Sequence, residues 1–120
     1  MATSCVACAK EVPTLRGMAG TFSSSKLEIV GVPCDPEDTP EKLDAWAERL
    51  SPPYEIMTDI TAAQRDAMLG VADGLLFRSD ALPFSVVTDS HGEVLLTTWG
   101  LPSTSDLKRP LWLAEARAAR

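Results

Sequence analysis

The chain has 120 residues, of which 45% are hydrophobic and 23% charged, as in a single globular domain. The net charge of −6 at pH 7 and the isoelectric point near 4.6 argue against a nucleic-acid partner, which requires a basic face. The apolar runs are far shorter than the roughly 20 residues of a membrane-spanning helix. No basic start with an apolar block stands near Met1, so we expect neither a membrane span nor a secretory signal among these residues.

The first part of the chain predicts a helix followed by a strand. Apolar residues recur at three- and four-residue spacing from Cys5 to about Ser23, which predicts a helix with one apolar face. Pro13 lies inside that pattern and should kink the helix. The short, β-branched run Leu27–Val32 is typical of a buried strand.

A polar loop and a second helix come next. The loop covers Pro33–Pro40, and Asp38 or Thr39 is the predicted N-cap of the helix that follows. That helix is expected to end at Ser51-Pro52-Pro53. Its predicted core residues are Leu43, Trp46, Ala47 and Leu50.

The middle of the chain gives weaker patterns. Tyr54–Met57 predicts a short strand, and Thr61–Leu69 predicts a third helix that stops near Gly70. Val71–Ala81 is interpreted as a loop with an apolar patch.

The last part of the chain predicts a hairpin and a helix. Pro83 opens a strand over Phe84–Thr88, and a turn separates it from a second strand, Glu93–Thr98. A helix is predicted from about Thr104, with Pro110 as an irregularity. Strands that first alternate with helices and then form a hairpin predict an α/β fold with a sheet of mixed direction.

Cys5 and Cys8 form a Cys-x-x-Cys pair at the start of the first predicted helix. The N-terminal end of a helix favours negative charge, so the first thiol should lose its proton more easily. The second thiol lies one turn further on, close enough to form a disulfide that exchanges with others. Two alternatives remain: the pair are small buried hydrophobic residues, or they are half of a zinc site, for which only Cys34 and His91 are left as further ligands.

The segment Ser4–Pro13 resembles the active-site segment of the thioredoxin-like superfamily, especially its TlpA/ResA-like branch. That branch typically shows Trp-Cys-x-x-Cys-x-x-Glu-x-Pro, and Glu11 and Pro13 match it while a serine replaces the tryptophan. Leu82–Asp89 resembles the family's cis-proline segment with its strand, and His91–Val94 resembles the hairpin that follows. The resemblance implies a thioredoxin-like fold over residues 1–120 and the activity of a thiol–disulfide oxidoreductase.

The resemblance also implies roles for individual residues. Cys5 would attack the disulfide of a partner, and Cys8 would resolve the mixed disulfide and release the partner. Pro83, if cis, would sit beside the dithiol and leave the backbone of Leu82 free to pair with a bound peptide. Glu11 would tune the acidity of the thiols or relay protons, and the alternative is an exposed carboxylate in the first turn of a helix.

The implied partners are protein thiols and disulfides together with a recycling reductant, and no cofactor is needed beyond the dithiol. In the thioredoxin-like fold a central strand precedes the dithiol, but only Met1–Ser4 stands there. We therefore expect this first central strand to be missing from the chain, and we favour a piece of a longer protein over a strand donated by a neighbouring molecule or a sheet that closes around the gap. Because TlpA/ResA-like proteins are usually exported or membrane-tethered, we expect a periplasmic or other extracytoplasmic location. The alternative is a cytoplasmic protein, in which the dithiol would stay mainly reduced. A redox-sensing domain of a larger protein is a further alternative.

The segment Cys34–Leu43 is similar to the Asp-Pro-x-x-Asp-Thr-Pro-Glu loop of Sco-type copper chaperones. Those proteins bind copper through Cys-x-x-x-Cys and a distant histidine, whereas here two residues separate the cysteines and the single histidine, His91, lies in the hairpin turn. Binding of Cu(I) by Cys5 and Cys8 for delivery to another protein is therefore the alternative function. Cys34 is interpreted as a buried, inert thiol or as an extra reactive one.

Peroxidase chemistry is set aside because the spacing does not fit. The peroxiredoxin pattern places a threonine three residues before its cysteine and a proline further upstream. Thr3 lies two residues before Cys5.

Overall fold

A computed structural model describes residues 1–23, 25–76 and 82–119, without the side chains of residues 72–76. Helices and short strands alternate along these residues, and an antiparallel hairpin and a final helix complete the order. The elements are α1 Val6–Lys10, α2 Val12–Thr21, β1 Val30–Gly31, α3 Pro40–Leu50, β2 Glu55–Ile56, α4 Ala62–Leu76, β3 Phe84–Thr88, β4 Val94–Trp99 and α5 Thr104–Ala118.

The helix predicted from Cys5 to Ser23 is two helices, α1 and α2, with a break at Glu11. Pro13 has no N–H group, so it cannot continue the ladder of backbone hydrogen bonds back to α1. The N–H of Glu11 donates the last hydrogen bond of α1 to the carbonyl of Ala7 (3.1 Å). The carbonyl of Glu11 accepts a hydrogen bond from the N–H of Leu15 in α2 (2.9 Å). The predicted irregularity is thus an interruption at Glu11, two residues before the proline, where the backbone keeps right-handed helical φ and ψ.

The strand predicted over Leu27–Val32 is much shorter, because only Val30–Gly31 forms β1. It pairs in parallel with β2, with Val30 opposite Glu55 and Gly31 opposite Ile56. The prediction of a buried strand is wrong for Val30, which is 46% exposed. Within the described residues β1 pairs with a single strand, and its second residue, Gly31, is buried as predicted.

Helix α3 begins as the sequence predicts. The side chain of Thr39 accepts a hydrogen bond from the N–H of Lys42, and Pro40 occupies the first turn. Leu43 and Trp46 are each 1% exposed, and both belong to the core. The helix ends at Ser51, which adopts a left-handed conformation with φ of 47°.

Helix α4 continues to Leu76, so the prediction that it stops near Gly70 is wrong. A glycine inside a helix costs only about 1 kcal/mol, which the flanking helix formers offset. A β-carbon at Gly70 would meet nothing within 4 Å, so no contact there forces the chain to turn. The loop predicted over Val71–Ala81 is therefore helical as far as Leu76, and residues 77–81 lie outside the described part of the chain.

The predicted hairpin is present as β3 and β4, paired antiparallel from Phe84 opposite Trp99 to Thr88 opposite Val94, with an irregularity next to Thr88. Asp89 fixes the turn, because its carboxylate accepts hydrogen bonds from the backbone N–H groups of His91 (2.9 Å) and Glu93 (3.0 Å). Burial alone would raise the pKa of Asp89. These two hydrogen bonds, together with one donated by the side chain of Arg117 to the Asp89 carboxylate, lower it.

The parallel pair β1–β2 and the antiparallel pair β3–β4 confirm the predicted strand directions. Among the described residues they form two separate two-stranded sheets rather than one continuous sheet. The hydrophobic core is built mainly by α2, α3 and α5, with part of the N-terminal segment. It consists of Ala2, Cys8, Val12, Leu15, Met18, Leu43, Trp46 and Leu107.

Helix α5 begins at Thr104, as predicted, behind a capping box. The hydroxyl of Ser103 accepts from the N–H of Asp106, and the Asp106 carboxylate accepts from the N–H of Ser103, each at 3.0 Å. Pro110 lies inside the helix and is buried. In the described part of the chain, the helices are too short or too polar to cross a bilayer.

Helix α5 offers a matched test of the core. Leu107 is 1% exposed and Trp112 is 63% exposed. Leu107→Ala should lower the free energy of unfolding by about 2 to 5 kcal/mol, because it removes buried methyl groups and leaves a cavity. Trp112→Ala should change it by no more than about 0.5 kcal/mol. Urea denaturation of both variants checks this, and equal losses would contradict the core as described.

Candidate functional site

The two cysteines of the Cys-x-x-Cys pair are bonded to each other as a disulfide, with their Cα atoms 5.2 Å apart. They differ in exposure. Cys5 is half-buried, whereas Cys8 is 4% exposed and packs in the core. Val6, between them, is 68% exposed, so the outer face of the pair is accessible. A large partner can therefore reach the sulfur of Cys5 far more easily than that of Cys8.

Cys5 is the N-cap of α1. Its Sγ atom accepts a hydrogen bond from the backbone N–H of Cys8 at 3.1 Å. The same N–H can stabilise a thiolate on Cys5 once the disulfide is reduced, because a hydrogen bond to the charged form favours it.

Glu11 lies one turn beyond Cys8, at the break between α1 and α2. Its side chain is half-buried. Burial raises the pKa of the Glu11 carboxyl, and the positive N-terminal amine partly offsets the effect. Glu11 is the N-cap residue of α2, and its side chain makes no capping hydrogen bond.

Tyr54 lies near Glu11, and the sequence predicts it only as part of a short strand. Burial raises the pKa of the Tyr54 hydroxyl, and the charge of Glu11 raises it further. The ring of Tyr54 lies over Gly31, where an added β-carbon would stand 2.5 Å from the ring atom Cε2. A glycine in β1 thus makes room for the ring of Tyr54.

Pro83 is connected to Glu11 through Gly100. The Leu82–Pro83 peptide bond is cis, the geometry that the resemblance implied. The carbonyl of Pro83 accepts from the N–H of Gly100 at 2.8 Å. Gly100 has a φ of 69°, and a β-carbon added there would lie 3.4 Å from Oε1 of Glu11. The start of β3 and the end of β4 are therefore held on the side of the molecule where Glu11 lies.

The remaining candidate ligands are Cys34 and His91. Cys34 is a half-buried free thiol, and its Sγ lies 3.9 Å from the N-terminal amine of Met1 and 3.5 Å from the carbonyl of Val32. His91 is exposed in the hairpin turn. Across residues 1–23, 25–76 and 82–119, no three His, Cys, Asp or Glu side chains are grouped as a metal site requires.

The structure shows three features of a thioredoxin-like redoxin: a Cys-x-x-Cys pair at a helix start, helices around short strands, and a proline before an antiparallel hairpin. The sequence model of the AhpC/TSA family matches residues 1–101. The chain therefore belongs to the AhpC/TSA family, and with it to the thioredoxin-like superfamily. This family includes peroxiredoxins and thiol–disulfide oxidoreductases. No curated protein matches the chain.

Two neighbours of the site were not identified as such from the sequence. The charge of Glu11 acts on the hydroxyl of Tyr54, and Asp38 binds Thr3, two residues before Cys5. Asp38 stands in the loop that resembles the Sco-type motif, and that resemblance was the signal which pointed to this loop. No comparable signal marked Tyr54.

The close approach of Tyr54 to Gly31 gives a stability prediction. Gly31→Ala should displace the ring and lower the free energy of unfolding by about 1 to 3 kcal/mol, the usual cost of overpacking. Gly17→Ala is the control, since a β-carbon there meets nothing within 4 Å and should stabilise α2 by about 0.5 to 1 kcal/mol. Thermal or urea unfolding measures both, and a neutral Gly31→Ala would contradict the close packing of the ring.

The raised pKa of Glu11 predicts a pH-dependent stability difference. Below the ordinary glutamate pKa of 4.5, Glu11 is protonated in both the folded and the unfolded chain and costs nothing. As the pH rises through the raised pKa, the folded state must hold a desolvated carboxylate, so the stability contributed by the protonated form is lost. Wild type should therefore lose stability relative to Glu11→Gln between pH 4.5 and neutrality. A difference that stays constant with pH would contradict the burial of this carboxyl.

Proposed function

We propose that the protein is a TlpA/ResA-like thiol–disulfide oxidoreductase that exchanges disulfides with a protein partner through Cys5 and Cys8. The observation that supports this most is the pairing of a half-exposed Cys5 with a buried Cys8. An accessible sulfur can meet a partner, and a shielded sulfur can only react with its neighbour. That division of labour is what dithiol exchange requires.

In the reduced protein, the Cys5 thiolate attacks one sulfur of the partner's disulfide. A bond forms between Cys5 and that sulfur, and the other partner sulfur leaves as a thiolate, which takes up a proton. The Cys8 thiol then loses its proton and attacks Cys5 Sγ. The Cys5–Cys8 disulfide forms, and the second partner sulfur leaves as a thiolate. The partner has gained two electrons and the protein has lost two, so a dithiol reductant must supply two electrons to reduce the Cys5–Cys8 disulfide again.

Glu11 and Pro83 are the remaining proposed site residues. Glu11, one turn beyond Cys8 and with a raised pKa, is suited to accept the proton that Cys8 loses or to tune the acidity of the thiols. Pro83 follows Leu82, whose backbone groups would pair with an extended segment of the partner.

The proposal includes no cofactor beyond the dithiol itself. It also includes an extracytoplasmic location, such as the periplasm, which rests on the resemblance to the TlpA/ResA-like branch. A compartment without strong reducing systems allows the Cys5–Cys8 disulfide of the structure to persist between reactions.

Single cysteine variants test the division of roles. Reduced Cys8→Ser should form a stable mixed disulfide with a disulfide-containing peptide, because nothing resolves the bond to Cys5. Cys5→Ser should form none at the active pair, and Cys34→Ser should behave like wild type. Mass spectrometry of trapped adducts, in the presence of a metal chelator, measures the three outcomes.

Three results would overturn the proposal. One is an adduct formed equally well by Cys5→Ser. A second is rapid consumption of hydrogen peroxide by wild type with no exchange of peptide disulfides, which indicates a peroxidase. A third is tight, stoichiometric uptake of Cu(I) that is lost in Cys5→Ser, together with no disulfide exchange under chelation, which indicates copper delivery.

A further inference from the structure

The loop between β1 and α3 touches the segment that leads into the reactive pair. The carboxylate of Asp38 accepts two hydrogen bonds from Thr3. The backbone N–H of Thr3 donates to Oδ2 at 2.8 Å, and the Thr3 hydroxyl donates to Oδ1. Asp38 is 9% exposed, and both of its carboxylate oxygens are used on this one residue. This is the part of the Sco-like motif to which the proposed exchange reaction gives no role.

Thr3 lies within the turn that delivers Cys5. The N–H of Cys5 donates to the carbonyl of Ala2 at 3.1 Å, which closes a turn around Thr3 and Ser4. Ala2, on one side of this turn, is 3% exposed in the core. The turn is therefore fixed at its base by packing and at Thr3 by Asp38, and the next residue but one is the N-cap cysteine.

Hydrogen bonds within the residues before and after Asp38 fix its backbone. The N–H of Asp38 donates to the carbonyl of Asp35 at 3.1 Å, and the N–H of Glu37 donates to the Asp35 carboxylate at 2.9 Å. On the other side, Thr39 caps α3 by accepting from the N–H of Lys42. The carboxylate thus stands on a rigid link between a closed turn and a helix anchored in the core.

We propose that Asp38 is a positioning residue for the exchange reaction, which holds Cys5 at the start of α1 by binding Thr3 through both carboxylate oxygens. This inference rests on the proposed function. With Thr3 fixed, Sγ of Cys5 stays where the N–H of Cys8 reaches it at 3.1 Å. When the contact is removed, the turn gains freedom and this hydrogen bond to the thiolate weakens. A weaker bond to the charged form raises the thiol pKa and makes the dithiol a stronger reductant.

The charge of Asp38 acts in the opposite direction, and this separates the two effects. Removal of a nearby negative charge by itself lowers the pKa of a thiol and speeds its attack. Loss of positioning slows the attack. An Asp38→Ala variant that reacts more slowly than wild type therefore reports positioning, since a charge effect alone has the other sign.

Alkylation of Cys5 in the reduced protein tests the inference. The second-order rate with iodoacetamide is measured across pH, with peptide mapping to separate Cys5 from the other cysteines. Thr3→Val keeps the size of the side chain but removes the hydroxyl, and Asp38→Ala removes both acceptors. Each should lower the rate at neutral pH by about three- to tenfold, the equivalent of a hydrogen bond of ordinary net strength, and should raise the apparent pKa of the pH profile.

Two control variants accompany these. Thr3→Ser retains the hydroxyl and should restore the wild-type profile. Asp44→Ala removes an exposed carboxylate of α3 that does not bind Thr3, and it should leave the rate within about twofold of wild type, as expected for a surface change. Urea unfolding confirms that each variant is folded before its rate is compared.

A Thr3→Val profile that matches wild type, or a faster Asp38→Ala, would overturn the positioning role. The failure of the proposed function looks different. In that case wild type exchanges no disulfide with a peptide, whereas the alkylation profiles of Cys5 still report whether Asp38 and Thr3 position the thiol.

Discussion

The position of the dithiol depends on one missing hydrogen-bond donor. Pro13 cannot donate to the preceding turn, so the chain forms α1, breaks at Glu11 and starts again as α2. Cys5 caps α1 and Cys8 lies within it, while α2 packs Val12, Leu15 and Met18 into the core. Glu11, at the break, lies near the end of β4, where a β-carbon added to Gly100 would be 3.4 Å from its Oε1.

A second constraint acts from before the dithiol. The backbone of Met1 donates to Val32 and accepts from Cys34, and Thr3 donates twice to Asp38. Residues far along the chain therefore fix the segment in front of Cys5. The reactive pair is held on one side by a helix break and on the other by a loop, while Val6 at its outer face stays open to a partner.

Local chemistry in the sequence predicted much of this arrangement. Pro13 marked the irregular helix, Thr39 followed by Pro40 marked the start of α3, and the turn before Glu93 marked the hairpin. These features depend on residues within a few positions of each other. The AhpC/TSA match agrees with the resemblance that the Cys-x-x-Cys segment indicated at the level of the superfamily.

What the sequence could not predict depends on contacts between distant residues. Thr3 and Asp38 are 35 positions apart, and no periodicity connects them. The ring of Tyr54 lies against position 31 of a different segment, and only a glycine there leaves room for it. The prediction of a helix end near Gly70 is wrong because the conformational cost of one glycine is small beside the stabilisation that a continuing helix gains. The run Leu27–Val32 has the composition of a buried strand, but pairing, which composition does not specify, limits β1 to two residues.

The most direct test of the central claim is a redox titration of the chelator-treated protein in glutathione buffers, with thiol trapping and mass detection. The proposed chemistry predicts one two-electron transition confined to Cys5 and Cys8, with Cys34 titrating independently or not at all. A pair that forms no disulfide at any glutathione ratio would contradict the proposed function.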